Sequence, residues 1–355
     1  MELDGITRVP LPVGHNGIET VNAYVLADGD QVTLVDCGVW RADPDGAGDG
    51  LAELRQGLRT AGYELADVSR IVITHAHIDH YGLAGRLMEL TGAELWMHAL
   101  TDLDCEKYRH PDTAVARRRD TYTDHGLPDA ELPAVAHGLH AWMPYLHSVV
   151  EASTRLRGGE RIEIGGDGWD VIHTPGHSLG HVCLHSPTRG VLLSGDHLLP
   201  GITPPVTFER GFDADPLRSY LESLRRVADL RPTHVLPGHG HPFADPAGRI
   251  EAIYRTKLRR LEKVRQAIGA RPSSVVELAD QLVAKAILAH QRQLAINETL
   301  SHIAYLRWSG EVERRTRPDG VYEWYMTGSH WSEGQVGAAA GVEDSRGSAS
   351  REVPP

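Results

Sequence analysis

Apolar and polar positions along this chain change their period several times, and each change predicts an element. Residues 20–36, TVNAYVLADGDQVTLVD, are two apolar, β-branched runs around Asp28-Gly29-Asp30, which predicts two strands joined by a tight turn. Residues 49–62 carry Leu51, Leu54 and Leu58 at the spacing of one helix face. VSRIVIT then reads as a short buried strand ending at Thr74, GLAGRLMELTG as a helix stopped by Gly92, and AELWMHA as another strand. Residues 101–157 break this rhythm. They are polar, rich in Arg and His and interrupted by Pro111, Pro128, Pro133 and Pro144, and they predict a helical insertion that acts as a lid. Strands return as RIEIG, WDVIHT, HVCLHS and GVLLSGD, followed by a helix near 214–230 and the strand THVLPG. Residues 246–268 predict one long basic amphipathic helix. SSVVELADQLV and AINETLSHIAYLRWSG predict two more helices, and VERRTRPDGVYEWYM a hairpin turning at Pro318-Asp319-Gly320. The tail from 327 is rich in Gly, Ala and Ser and predicts disorder. Strands alternating with helices predict an α/β layered domain.

Composition narrows the class. A chain of 355 residues with 41% hydrophobic and 24% charged positions can bury a sizeable core. Its net charge of −12 argues against nucleic acid or an anionic membrane binding over the whole surface. No apolar run reaches the roughly 18 residues that span a bilayer. The first residues lack a basic segment followed by an apolar one, so no secretory signal is expected. Cys37, Cys105 and Cys183 are an odd, sparse set, which predicts reduced core thiols and a cytoplasmic setting rather than a disulfide framework.

The candidate chemistry starts at IVITHAHIDHYGLAG, which crowds His75, His77, Asp79 and His80 onto one turn. Three later stretches add His177 in HTPGHSLGH, Asp196 in LLSGDHLLP and His239 in HVLPGHGHP. Each follows an apolar strand and a tight turn at Gly or Pro-Gly, so ligand-type residues sit where strand ends of one sheet can converge. Imidazole and carboxylate accept Zn²⁺, Mn²⁺ and Fe²⁺ alike. Seven donors suit two divalent ions, zinc first and manganese or iron as alternatives, roughly 3.5–4 Å apart around a shared water and a shared carboxylate. Twenty-one histidines make one stray pair unremarkable, but not four ordered motifs. His98, His173, His185 and His241 read as core or supporting residues. His181 and His197, beside the motifs, are expected to hydrogen-bond behind the ligands.

The series His75-x-His77-x-Asp79-His80, His177, Asp196, His239 resembles the metallo-β-lactamase superfamily of hydrolases, and its spacing is similar to the glyoxalase II-like branch. The resemblance covers roughly residues 8–245. It implies a four-layer αββα sandwich for a catalytic domain over 1–245, with the helical insertion at about 101–157. It also implies His75, His77 and His177 on one ion, Asp79, His80 and His239 on the other, Asp196 bridging both, and Asp36 supporting them from behind. Residues 246–326 would be the basic helix plus a small unit whose helix–helix–hairpin order resembles a winged helix. A similar C-terminal part occurs in relatives of a mitochondrial β-lactamase-like protein.

Hydrolysis follows as the expected reaction: a metal-bridged hydroxide attacks a carbonyl, and Asp79 orients it and relays a proton to the leaving group. A thioester or lactone of a small acyl substrate is the expected target, with a single-strand RNA endonuclease of the same superfamily as the alternative. Trp142 and Tyr145, near the end of the insertion, are candidate substrate contacts. The basic helix holds seven Arg or Lys and two Glu between Arg249 and Arg265, and could take an anionic carrier such as glutathione or coenzyme A. Residues 271–326 hold seven basic and seven acidic residues, so they show no electrostatic footprint for nucleic acid. The complete ligand set disfavours a non-enzymatic winged-helix binding protein. A homo-oligomer is left open.

Overall fold

Short strands that are buried on both faces need cover on both faces, and that requirement sets the architecture. The computed structural model describes residues 5–40, 50–282 and 289–328; the tail expected to be disordered lies outside them from residue 329. One six-stranded sheet holds β1 (Ile6–His15), β2 (Ile18–Asp28), β3 (Gln31–Val35), β4 (Val68–Ile73), β5 (Glu94–His98) and β6 (Thr154–Leu156), in that spatial order. The other holds β7 (Arg161–Ile164), β8 (Asp167–His173), β9 (Val182–Ser186), β10 (Val191–Gly195), β11 (His234–Pro237) and β12 (Phe243–Ala244), ordered β12-β11-β10-β9-β8-β7. Both are mixed: β3 to β6 run parallel, as do β10 and β11, and the remaining pairs are antiparallel.

The period of two sorts side chains into layers. Tyr24, Leu26, Val35 and Val72 of the first sheet meet Trp169, Val171, Leu184, Leu193 and Leu236 of the second in the inner core. Their chain neighbours Val25, Ile71 and Ile73 face outward onto Leu54 and Leu58 of α1 (Gly50–Thr60). Between β4 and β5 lie α2 (Ile78–Tyr81) and α3 (Ala84–Thr91), the latter closed by Gly92 at φ 70°, a left-handed cap that glycine adopts without strain. On the other side Cys183, Leu192 and Val235 face outward. The result is the α/β, αββα sandwich.

The predicted insertion forms α4 (Thr101–Arg109), α5 (Pro111–Asp124) and α6 (Leu132–His140). Tyr108, Val115 and Leu139 pack into the core outside the first sheet, whereas Tyr122, Leu127 and Leu132 join the core outside the second. Beyond it come α7 (Pro216–Asp229), α8 (Pro246–Ala270), α9 (Val275–Leu282), α10 (Ala289–Trp308) and the hairpin of β13 (Val312–Thr316) and β14 (Tyr322–Met326). Leu221, Ile253, Leu278, Ile296, Ile303 and Trp324 belong to the same core cluster as Cys183 and Leu192. The C-terminal helices therefore share their core with the second sheet.

Three strands escape the sequence pattern, among them the two-residue edge strand β12, too short to show a period. β1 contains Pro10 and Pro12, which argue against a strand, but it lies at the sheet edge, where a missing N–H costs no ladder bond. β6, inside the predicted insertion, is a three-residue edge strand too short to show a period.

Candidate metal centre

β4, β8, β10 and β11 end at one rim of the sandwich, and their following turns carry the predicted donors. After Ile73 the chain bends at Thr74 and reaches His77 in extended backbone (ψ 142°) before α2 begins, which brings His75 and His77 together while Asp79 and His80 ride on the first turn of α2. His75 Nε2 and His177 Nε2 each lie 3.0 Å from His77 Nδ1. His239 Nε2 lies 3.2 Å from Asp79 Oδ2, and His80 Nε2 3.9 Å from the same oxygen. Asp196 stands between the groups, with Oδ1 3.4 Å from His80 Nε2 and Oδ2 3.5 Å from His239 Nε2 and 3.7 Å from His177 Nε2. Three sets can each hold an ion: His75–His77–His177, His75–His80–Asp196 and Asp79–His80–His239. His77 and His239 are partly exposed and the other five are buried, so the cluster opens on one side.

The far nitrogens of these rings are taken. His80 Nδ1 donates to Asp36 Oδ2 (2.8 Å), His177 Nδ1 to the Pro205 carbonyl (2.8 Å) and His239 Nδ1 to the Thr20 carbonyl (2.7 Å). His75 Nδ1 meets Thr74 Oγ1 at 3.0 Å, and that hydroxyl donates to Asp36 Oδ2. With Nδ1 protonated, the Nε2 lone pairs of His75, His80, His177 and His239 face inward, the tautomer a metal ligand requires.

Residues 16–239 match the family model described as Metallo-beta-lactamase superfamily. The chain belongs to the metallo-β-lactamase superfamily. Residues 261–327 match the model described as Metallo-beta-lactamase-like, C-terminal domain. The "Probable metallo-hydrolase YqjP" of Bacillus subtilis is 28% identical over 322 residues, covering 89% of this chain and 95% of that protein. A crystal structure of a metallo-β-lactamase family protein from Thermus thermophilus is 30% identical, with a TM-score of 0.76 over 91% of this chain and 99% of that one. The acyl-coenzyme A thioesterase MBLAC2 of Bos taurus is 28% identical over 201 residues, covering 54% of this chain and 64% of that protein. The protein is thus a metallo-hydrolase of this superfamily.

Electrostatics divide the superfamily motif in two. Burial, reinforced by the neighbouring imidazoles, pushes His75 and His77 well below the usual histidine range, and burial lowers His177 too. These three offer lone pairs. Burial opposes charge on His80 and His239 as well, but Asp196 and then the other carboxylates lift them to about 10 and about 11. The carboxyl of Asp196 stays well below its usual range despite burial, because His239 and His80 face it; Asp79 is lowered in the same way, chiefly by His80. The carboxylates that draw protons onto His80 and His239 would equally draw a divalent ion, whose binding displaces the Nε2 protons. His80 Nε2 and Asp196 Oδ1 are buried without a hydrogen-bonding partner, a costly state that a bound cation relieves. Gly238 keeps this space clear, since a Cβ there would collide with Asp196 Oδ1 and His80 Cε1. The donor set fits two divalent ions.

The supporting residues divide as well. Asp36, at φ 57°, accepts from Thr74 N and Oγ1 and from His80. His181 Nε2 accepts from the Asp196 backbone N–H (3.1 Å), and its Nδ1 meets Thr74's counterpart on the second sheet, Thr174 Oγ1, at 2.8 Å. His197 is fully buried, its ring 5.2 Å from that of Tyr220 and held neutral by burial with a pKa of about 3. Trp142 and Tyr145 pack on the ring of His15 at the β1–β2 turn, 4.5 and 4.7 Å away. His98 stacks on His173 at 4.0 Å, with its Nε2 toward the Arg157 carbonyl.

The basic residues of α8 divide: Arg255, Arg259 and Lys263 are exposed, and the other four make contacts within the protein. Lys257 is buried, donates to the Pro204 carbonyl (2.8 Å) and pairs with Glu298 of α10 (2.8 Å), which also holds Arg260. Arg249 donates to the Leu199 and Ile202 carbonyls, and Arg265 pairs with Glu311. Sequence reasoning missed Thr74, Asn22 and Lys257. Thr74 ends the apolar run just before the histidines, which was a usable signal; Asn22 and Lys257 act on distant backbone carbonyls and leave none.

Proposed function

We propose that this protein is a dinuclear metallo-hydrolase that cleaves a carbonyl compound with a good leaving group, a thioester before a lactone. The observation that carries this reading is the arrangement of seven donors in two groups that share Asp196, with the far nitrogens of four imidazoles committed to protein acceptors. His75, His77 and His177 would hold one ion, Asp79, His80 and His239 the other, and Asp196 both. When bound, two such ions supply a water acidified toward neutral pH and polarise the carbonyl under attack.

This chain's own residues do the rest. Asp79 is held ionised, so one carboxylate oxygen can orient the attacking water and take its proton, then return it to the departing thiolate or alkoxide. Asp36 and Thr74 fix the rings of His80 and His75. The partly exposed side of the cluster, at His77 and His239, admits the substrate. A thioester is favoured by the likeness to the acyl-coenzyme A thioesterase and is also the bond that a glyoxalase II-like relationship implies.

The test is metal analysis of the purified protein combined with hydrolysis of thioester, lactone, phosphodiester and β-lactam panels. About two metal equivalents, thioester turnover lost on chelation, and Asp79→Asn lowering kcat about 10²–10⁴-fold while the fold survives are the expected results. A folded protein that binds no divalent metal overturns the reading, and turnover confined to phosphodiesters moves it to the nuclease alternative.

A further inference from the structure

A second concave site lies away from the seven donors. It is a cavity of about 650 Å³ between the 207–213 segment, α10 and the C-terminal hairpin. Arg210, Arg307 and Arg314 line it together with Phe208, Trp308 and Tyr322. Leu300 and Ile303 of α10 supply apolar wall, and no carboxylate is among the lining side chains of the described residues. In a chain of net charge −12, three guanidinium groups around one cavity are a local departure. Asp124 pairs with Arg210 at 2.6 Å. Arg314 rests over the Tyr322 ring at 3.9 Å, and Arg307 lies 6.0 Å from the Trp324 ring centre. Among the described residues neither has a carboxylate within ion-pair distance. Burial, with Arg210 and Arg314 adding to it, drives the cavity's His125 down to about 3.

Trp308 is 64% exposed, yet its indole N–H donates to the Ala214 carbonyl at 3.0 Å. A large apolar ring held in place at the surface is a platform for stacking. Guanidinium forks match phosphate oxygens, and the volume falls in the range of small-molecule sites.

The segment between this cavity and the metal centre works on both sides. Phe208 and Arg210 face the cavity, while Thr207 and Glu209 face the cleft that contains His77 and His177. We infer that the cavity binds the phosphate-bearing, aromatic end of a nucleotide carrier whose acyl thioester is presented to the metal centre, an inference that rests on the thioester reading above. An extended RNA would need a basic track, whereas residues 271–326 are charge-balanced and the arginines converge on one cavity.

The experiment uses the full chain with its metals. ADP is titrated as a probe, and hydrolysis of an acyl-coenzyme A is compared with that of the same acyl group on N-acetylcysteamine, a thioester without the nucleotide. ADP should bind and compete with the acyl-coenzyme A. Arg307→Gln/Arg314→Gln should raise KM for the acyl-coenzyme A about tenfold, as loss of charge-assisted phosphate contacts does, without a matching change for the truncated thioester. Should that double variant fail to fold, Trp308→Ala removes an exposed ring and one exposed hydrogen bond to the Ala214 carbonyl, and carries the same comparison. Failure of ADP to bind, with both thioesters turned over alike, overturns the cavity assignment and leaves the hydrolase reading intact. ADP binding that the variants abolish, in a protein that cleaves no thioester, keeps a nucleotide site and removes the thioester link. A single-stranded oligoribonucleotide that displaces ADP at lower concentration overturns the small-ligand assignment in favour of RNA.

Discussion

Asp36 shows how much one residue outside the ligand set can govern. Its two oxygens receive the Thr74 N–H, the Thr74 hydroxyl and His80 Nδ1, all at 2.8 Å, so one carboxylate orients two of the five imidazoles. Asp36→Asn retains the shape and tolerates the positive φ, but offers one acceptor oxygen instead of two. Metal affinity should fall about 10–100-fold in a competition titration with a chelator. Unchanged affinity would show that Asp36 serves only the turn. Gly238→Ala is the steric counterpart. Its Cβ would press on Asp196 and His80, and the expected outcome is loss of one metal equivalent from a chain that still folds.

At the scale of elements, the turns that carry ligands are stapled by distant strands and helices. Asn22 of β2 donates its side-chain amide to the Pro237 and Gly240 carbonyls at 2.8 Å, and its backbone N–H to the Gly238 carbonyl at 2.7 Å. Tyr24 adds a bond to the Pro237 carbonyl. This fixes the turn that holds His239. Asn22→Ala removes one of the two donors on each of the Pro237 and Gly240 carbonyls, leaving Tyr24 and Arg8, and should cost about 1 kcal/mol in denaturant unfolding while weakening the second ion more than the first. The loop after β10 is held from the other side. Lys257 clamps the Pro204 carbonyl, and the next carbonyl, Pro205, receives His177 Nδ1. Glu298→Gln strands the buried Lys257 and should cost about 3 kcal/mol, with a measurable drop in metal affinity. A drop in stability with metal affinity untouched would separate the ion pair from the centre.

For the molecule as a whole, the insertion spans the cores outside both sheets while the C-terminal helices share the second of them, and His125 sits where they meet. Its ring lies 5.4 Å from that of Tyr322, and its carbonyl accepts from the Val276 N–H. Burial holds its folded pKa near 3, against about 6.5 in the unfolded chain. The unfolded state therefore binds the extra proton, so the stability tied to neutral His125 is present above about pH 6.5 and is lost progressively as pH falls toward 3. His125→Gln should flatten the fall of Tm between pH 7 and 4.5 relative to the parent chain. An equally steep fall would assign the acid sensitivity to other buried histidines.

Much of this was legible in the sequence because the signals were local. A strand of period two, a Gly-bearing turn and a ligand-type residue occupy about ten positions, so the seven donors and most elements could be read directly. β1 was hidden because proline's effect depends on whether its strand lies at an edge, a property of the sheet and not of the residue. The basic run of α8 suggested an anion-binding face; helix packing draws Lys257 out of that run and pairs it with Glu298, while Arg255, Arg259 and Lys263 stay exposed. The sequence by itself determined which side chains could bind metal and the alternating pattern that sorts residues into layers. Only the tertiary structure decided which imidazole nitrogen faces inward, how Asp196 is shared between two groups, and where three arginines converge. Those features depend on carbonyls and side chains brought together from positions as much as 219 residues apart, and contacts between distant positions leave no periodic trace in a chain.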